Sequence, residues 1–274
     1  MLSRRFLPRD AADFLRSIVP FALLAGAAAL PGARVLALGI LVIGVGIAIG
    51  RAAPVRWVWA AAVPVAIGLT WQAWRGGVFD PGGLECTSLN SPFAMNRFAE
   101  AIVVIGVLAA LAALLGGSRE GLGLQLPARR YRSWAIVGFI VVGPIALVVG
   151  PILAAPFFGP VAYDVTKVGA IGPALVFAIS NGVMEELAYR GALMSWSARV
   201  IGVGPALVAQ ALIFGFVHTG ADVQGAPILL MAAMATGGLL AGVIALRTRS
   251  LLIPMALHVG FDIPIYYAWA CATT

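Results

Sequence analysis

Residues 227–246, PILLMAAMATGGLLAGVIAL, form a run of twenty residues without a charged side chain. The hydrocarbon core of a bilayer needs about 20 apolar residues per α-helix, so this run predicts a transmembrane helix. Further apolar segments lie at 17–33, 35–50, 57–74, 100–116, 134–155, 168–189, 204–220 and 251–270. The chain is therefore predicted to be all-α, a polytopic integral membrane helical bundle with eight or nine transmembrane helices.

The composition of the whole chain indicates the same class of protein. Of its 274 residues, 61% are hydrophobic and 11% are charged, whereas soluble domains carry about 25% charged residues. A soluble enzyme and a disordered chain are both excluded, because each needs more polar surface than this chain has. Long runs of Ala, Leu, Val, Ile and Gly favour helices over an outer-membrane barrel.

The distribution of arginines predicts the orientation in the membrane. Alternate connections carry most of them: Arg4, Arg5, Arg9 and Arg16; Arg51 and Arg56; Arg119, Arg129, Arg130 and Arg132; Arg199; Arg247 and Arg249. The other connections contain fewer basic residues, and Arg97 is assigned to one of them. By the positive-inside rule, this pattern predicts nine spans, an inside N-terminus and an outside C-terminus. The net charge of +7 thus records orientation, and no nucleic-acid partner is expected.

The first apolar segments leave an alternative open. Residues 17–33 and 35–50 are short and meet at a Pro-Gly breaker, which predicts a tight helical hairpin. Whether 17–50 crosses the membrane twice is not decided, and a signal peptide over 1–33 is the competing interpretation. With nine spans, Cys86 and Cys271 both lie on the outer side, where a disulfide can form, although their spacing does not establish one.

A boundary is predicted at residues 117–132, which combine Gly, Pro and a basic cluster. It separates the N-terminal helices, 1–116, from a C-terminal bundle, 133–274. Residues 76–96 are predicted to be a polar loop, either a plain connection or a contributor to substrate recognition.

Ionisable residues inside the apolar segments are concentrated in the C-terminal bundle. A charged side chain at the centre of a bilayer costs roughly 2.5–3.5 kcal/mol, so each such residue suggests a functional site. They are Glu185, Glu186, Arg190, His218, His258 and Asp262. We expect no comparable group in the N-terminal half.

Helical spacing predicts how these residues pair. Glu186 and Arg190 stand four apart, the favourable order for an ion pair along a helix. Each residue of an α-helix turns the chain by about 100°, so Glu185 is expected to face a different sector, as an acid without a partner. His258 and Asp262 are also four apart and can share one helix face.

Three motifs carry a family resemblance. They are Glu185-Glu186-x-x-x-Arg190, Phe214-x-x-x-His218 and His258-x-x-x-Asp262. In this order and within apolar helices, they resemble the CAAX-protease and bacteriocin-processing (CPBP) family, also called the CAAX prenyl protease 2 or Abi family. Its members are glutamic-type intramembrane endopeptidases. The resemblance covers about 168–270, and it implies a supporting role for Glu186 and Arg190, which hold the first motif helix in register.

The resemblance also implies catalytic roles. Glu185 and His218 would activate a water molecule, while His258 and Asp262 would stabilise the oxyanion or orient the site. The related CAAX enzymes commonly carry Asn where this chain has Asp262. An ionised carboxylate cannot donate a hydrogen bond. We therefore expect His258 to be the donor and Asp262 to fix its tautomer or charge.

Two other functions are compatible with the residues. A metal-dependent intramembrane protease is one, although the chain has no His-Glu-x-x-His framework. A non-proteolytic scaffold, immunity protein or proton-linked transporter is the other, because intramembrane Glu and His also form proton relays. For the preferred protease no metal or cofactor is expected.

The expected partners are the lipid bilayer and a membrane-anchored protein or peptide substrate. A leader peptide, a C-terminal anchor and a CAAX-like tail are the candidate substrates. The Ala- and Gly-rich composition suggests a bacterial source and hence the inner membrane.

Overall fold

Every regular element in the described part of the chain is helical. A computed structural model of the protein describes residues 11–51, 53–74, 86–142, 144–146, 148–150, 152, 166–218 and 227–271. These ranges contain no strand, so the predicted all-α class is confirmed for them.

The α-helices are numbered here in chain order. They are α1 (Ala11–Ala29), α2 (Arg34–Gly50), α3 (Arg56–Trp74), α4 (Pro92–Leu115), α5 (Arg132–Val137), α6 (Ile171–Glu185), α7 (Ser195–Ile201), α8 (Val203–Val217), α9 (Pro227–Thr248) and α10 (Leu252–Ala270). Two segments are π-helical: Gly138–Val142 follows α5, and Glu186–Met194 joins α6 to α7.

Four helical stretches in the described ranges are long and apolar enough to cross a membrane. They are Pro31–Gly50, Pro92–Leu115, Val168–Ile201 and Ile228–Thr248. Large apolar side chains stay exposed along them, such as Val35 on α2 and Ile102 on α4, as expected for surfaces that contact lipid. The protein is therefore an integral membrane protein. The count of eight or nine spans stays a prediction, and part of the predicted span 134–155 lies outside the described residues.

The first two helices form the predicted hairpin. Helix α1 ends at Ala29, and a short 3₁₀ turn over Pro31–Ala33 leads directly into α2. Pro31 stands at the start of the turn, where its missing N–H is tolerated. Arg34 then donates hydrogen bonds to the carbonyls of Ala27 and Leu69, which holds the hairpin against α3.

Helix α4 is longer than predicted, and this corrects the assignment of residues 76–96 to a loop. The helix begins at Pro92 rather than at residue 100. Proline is favoured at the first turn of a helix because its φ is already helical. The helix ends at Leu115, and Gly116 caps it with a φ of 66°, in the left-handed region. Residues 76–85 lie outside the described residues.

The predicted basic loop is a loop with one short helical turn. Within 117–132, a 3₁₀ turn covers Arg129–Tyr131, and α5 starts at Arg132. The loop is fixed to the connection between α9 and α10, since Leu251 N–H donates to the Gly123 carbonyl and Ser250 Oγ donates to the Gln125 carbonyl.

The helices on either side of this loop share one hydrophobic core. It includes Val58 from α3, Leu108 from α4 and Trp196 from α7, all buried. Trp57 and Trp196 pack edge to face with their ring centroids 5.5 Å apart, a favoured aromatic geometry. Helices of the predicted N-terminal region thus pack directly against those that carry the motifs.

A disulfide joins the segment that precedes α4 to the end of α10. Cys86 and Cys271 are bonded, with a Cα–Cα distance of 5.3 Å. A second, smaller core surrounds this bond and contains Phe177 and Tyr266, and the Tyr266 hydroxyl donates to the Cys86 carbonyl at 2.8 Å. The pairing that the spacing left undecided is thereby established in the structure.

We expect Cys86→Ser to lower the free energy of unfolding by about 2–4 kcal/mol, because a disulfide that closes a long loop restricts the unfolded chain. Thermal unfolding of the purified protein in detergent measures this change. Cys271→Ser should give the same loss, and the double variant should lose no more than either, since the chain has only these two cysteines. Alkylation of both thiols in the folded, non-reduced protein would contradict the pairing.

Candidate active site

The imidazole of His258, on α10, is surrounded by three carboxylates. Its Nδ1 lies 2.9 Å from Glu186 Oε1. Its Nε2 lies 3.6 Å from Glu185 Oε2 and 3.7 Å from Asp262 Oδ2. The first and third motifs of the sequence therefore meet at one ring, inside the bundle rather than in lipid.

The two neighbouring glutamates reach the same imidazole, so the expectation that Glu185 faces a different sector was wrong. Its expected lack of a partner holds for Oε2, which has no hydrogen bond among the described protein groups. Helix α6 ends at Glu185, and from Glu186 onward the chain is π-helical. In a π-helix the N–H bonds to the carbonyl five residues back, which widens the turn. The direction of the side chain then changes less from one residue to the next. As a result, the two carboxylates approach different nitrogens of His258.

Glu186 and Arg190 form the ion pair that their spacing predicted. Arg190 Nη1 donates to Glu186 Oε1 at 2.9 Å, and both side chains are 1% exposed. The same Oε1 accepts the hydrogen bond from His258 Nδ1. Asp262 was expected to orient His258, but the short hydrogen bond of this imidazole is the one that it donates to Glu186. Glu186 therefore does more than hold its helix in register.

Asp262 has a different hydrogen-bond partner, which the sequence analysis missed. Asn181 Nδ2, on α6, donates to Asp262 Oδ2 at 2.8 Å, and both residues are buried. The contact of Asp262 with His258 is too long for a hydrogen bond. Asn181 stands four residues before Glu185 and so lies on the same face of α6. A polar residue at that spacing within an apolar run was the signal available in the sequence.

His218 completes the site from the end of α8. Its Nδ1 lies 2.6 Å from the Phe214 carbonyl oxygen. Because a carbonyl only accepts, Nδ1 donates, and in the neutral imidazole Nε2 is then the acceptor. The Phe214 ring lies 4.5 Å from the His218 ring and 6.2 Å from the His258 ring, and the Arg190 guanidinium carbon is 4.4 Å from its centroid. Phe214 thus packs all three motifs together, and His218 lies within electrostatic range of Glu185.

Helix α4 brings a further buried ion pair to this region. Arg97 Nη1 donates to Glu100 Oε2 at 2.8 Å, and Glu100 is 1% exposed. The expectation that the N-terminal half holds no comparable group was wrong. The longer α4 explains the error, because it converts Arg97 from a residue of a connection into a residue of the bundle.

Glu185 is the acid best placed for chemistry. Its Oε2 is buried and has no hydrogen-bond partner among the described protein groups. Positive charge reaches it from Arg97 and Arg190, and from His258 and His218 when these are protonated. A carboxylate oxygen that is not committed to a hydrogen bond, beside two imidazoles, can accept a proton from a small polar molecule. Within the described residues, no group of three or more His, Cys, Asp or Glu side chains is arranged to hold a metal ion.

We predict that Glu186→Gln lowers the free energy of unfolding by about 3–5 kcal/mol, because it leaves the buried Arg190 charge without its counter-charge. Thermal or denaturant unfolding in detergent measures the loss. Glu120→Gln is the control, since Glu120 is exposed on the 117–132 loop, and it should change stability by less than about 0.5 kcal/mol. Equal stability of the two variants would show that the pair contributes nothing.

Comparison with known proteins supports the identity of this helical segment. Residues 167–264 match the family model described as type II CAAX prenyl endopeptidase Rce1-like. The match contains the three motifs, and α1 to α4 lie outside it. No curated protein and no solved structure matches the chain. The segment 167–264 is therefore similar to the type II CAAX prenyl endopeptidases, which agrees with the family resemblance of the three motifs.

Proposed function

We propose that this protein is an intramembrane endopeptidase of the glutamic type, which hydrolyses a peptide bond of a membrane-associated substrate. The observation that supports it most strongly is the meeting of Glu185 and His258 within the bundle, 3.6 Å apart, with His218 in electrostatic range. Ionisable side chains are costly to place inside a bilayer, so a cluster of them at one point in a membrane protein indicates a functional site.

Glu185 acts as the general base in this mechanism. Its distance of 3.6 Å from His258 Nε2 exceeds a direct hydrogen bond, and a water molecule suits a polar contact of that length. The water gives a proton to Glu185 while its oxygen attacks the carbonyl carbon of the substrate. A tetrahedral intermediate with a negatively charged oxygen results.

His258 stabilises that oxyanion. Its Nδ1 is committed to Glu186, so only Nε2 can donate to the substrate, and the ring must then be doubly protonated. The three carboxylates around it stabilise such a cation by direct charge interaction. An ordered donor at a developing oxyanion contributes a large share of catalysis in many hydrolases.

His218 assists the transfer of the proton that leaves the water molecule. In its neutral form, with Nδ1 donating to the Phe214 carbonyl, its Nε2 is free to accept a proton. It shares the activation of water with Glu185, and the proton finally reaches the amine of the leaving peptide. The C–N bond then breaks and releases one fragment with a new carboxylate and one with a new amine.

The substrate is a membrane-anchored protein or peptide, such as a leader peptide, a C-terminal anchor or a CAAX-like tail. The protein would act in the inner membrane of a bacterium, with its N-terminus inside and its C-terminus outside. The Cys86–Cys271 disulfide supports this orientation, because disulfides persist on the oxidising side of the membrane.

Glu185→Gln tests the proposal, and the rate of cleavage should fall by a factor of about 10²–10⁴, as for loss of a general base. Membrane proteins from cells that produce the wild type, Glu185→Gln or the control Glu120→Gln are compared by mass spectrometry for new chain ends. Such ends should appear with the wild type and the control only. Capture of proteins bound to Glu185→Gln then identifies uncleaved substrates. The same ends from Glu185→Gln would contradict proteolysis by this site.

Asp262→Asn separates the role of the charge from that of the hydrogen bond. We expect cleavage to fall about tenfold or more, because the amide removes a negative charge near His258 Nε2 and its NH₂ group competes with the Asn181 donor. Initial rates on a substrate found by the experiment above measure the effect. Full activity of Asp262→Asn would instead assign Asp262 an amide-like role, as the related enzymes with Asn suggest.

A further inference from the structure

We infer that Arg97 on α4 is a positioning residue of the active site, so that the N-terminal half of the chain takes part in catalysis. The inference rests on the proposed function, and it concerns a residue outside the segment 167–264 that carries the family match.

The placement of Arg97 relative to α6 is the first observation. Its guanidinium carbon lies 5.9 Å from the centroid of the Phe177 ring. Phe177, Asn181 and Glu185 follow one another at intervals of four, so they line one face of α6. Asn181 donates to Asp262 from that face. Arg97 therefore lies against the face of α6 that carries Glu185 and the Asn181 partner of Asp262.

The second observation is that α3 and α4 fix Arg97 in this place. Glu100, one turn further along α4, accepts its hydrogen bond at 2.8 Å. Glu100 is itself enclosed by α3, since a Cβ on Gly68 would lie 3.3 Å from its Oε1. Trp71 Nε1, also on α3, donates to Asn96 Oδ1 at 2.9 Å. The polar turn of α4 is thus held by side chains from a neighbouring helix.

A purely structural role explains this ion pair poorly. Burying two charges costs more free energy than apolar side chains of the same size would, so a buried pair is weak evidence for stability. In a bilayer that cost is larger still. An apolar pair on α4 would pack against Phe177 at lower cost. We therefore assign the charge of Arg97 an electrostatic role outside α4.

That role is to offset the negative charge of the carboxylates around His258. Among the described residues, four carboxylates are buried: Glu100, Glu185, Glu186 and Asp262. Arg190 is bonded to Glu186. Arg97 acts on both Glu185 and Asp262, which would otherwise repel each other across His258 Nε2. Its positive charge offsets that repulsion and keeps Glu185 close to the ring.

The experiment compares Arg97→Gln, Arg97→Lys and a matched control, Arg199→Gln, in the full-length protein. Arg199 is also an arginine packed on an aromatic ring, 3.9 Å from the Trp57 centroid, but it lies at the opposite end of the π-helical segment from Glu185. The substrate is a membrane protein that the wild type cleaves and Glu185→Gln does not. Steady-state rates and unfolding temperatures are measured for each variant.

Arg97→Gln should lower kcat about tenfold or more and leave KM within about threefold, because Arg97 acts on Glu185 rather than on the substrate. Arg97→Lys should recover most of kcat, since it restores the charge, and Arg199→Gln should keep it. Unchanged kcat in Arg97→Gln overturns the inference and leaves the proposed function standing. A loss of kcat that Arg97→Lys does not restore, and that parallels a lower unfolding temperature, also overturns the inference and leaves the proposed function standing. A wild type that cleaves nothing overturns both.

Discussion

The contact of three buried carboxylates with the single imidazole of His258 is the constraint on which the site depends. Negative charges cannot stay together in a membrane interior unless positive groups offset them. Arg190 supplies one such group from the same helical segment, and Arg97 supplies another from α4. Helices that are far apart in sequence must therefore meet at this point, and the packing of α4, α6, α8 and α10 follows from that requirement.

Two local features allow so many groups to meet. The π-helical turn that begins at Glu186 brings neighbouring glutamates to one ring, an arrangement that an α-helix does not give. π-Helical turns occur often at functional sites for this kind of reason. Phe214 then fills the space between Arg190 and both imidazoles, so that one side of the cluster is lined by an apolar ring.

Much of this could be predicted from the sequence. The apolar runs gave the all-helical class, the Pro-Gly breaker gave the first hairpin, and the intervals of four gave the Glu186–Arg190 pair. The convergence of Glu185 and Glu186 could not be predicted, because the rule of 100° per residue holds only for α-helices. Arg97 was missed because the predicted span began at residue 100, whereas α4 begins at Pro92. Glu100 stands at the end of that predicted span, although it lies two turns inside the helix. The Asn181–Asp262 bond depends on how two distant helices pack, which periodicity does not determine.

The most direct test of the account is a measurement on the imidazoles themselves. The chain has only two histidines, His218 and His258, so ¹⁵N-histidine labelling in lipid nanodiscs gives spectra that single substitutions assign. Glu186→Gln should change the Nδ1 signal of His258 most strongly, and Glu185→Gln should change its Nε2 signal, because each carboxylate faces a different nitrogen. If either substitution leaves both His258 signals unchanged, the two glutamates do not meet at this ring, and the proposed mechanism is wrong.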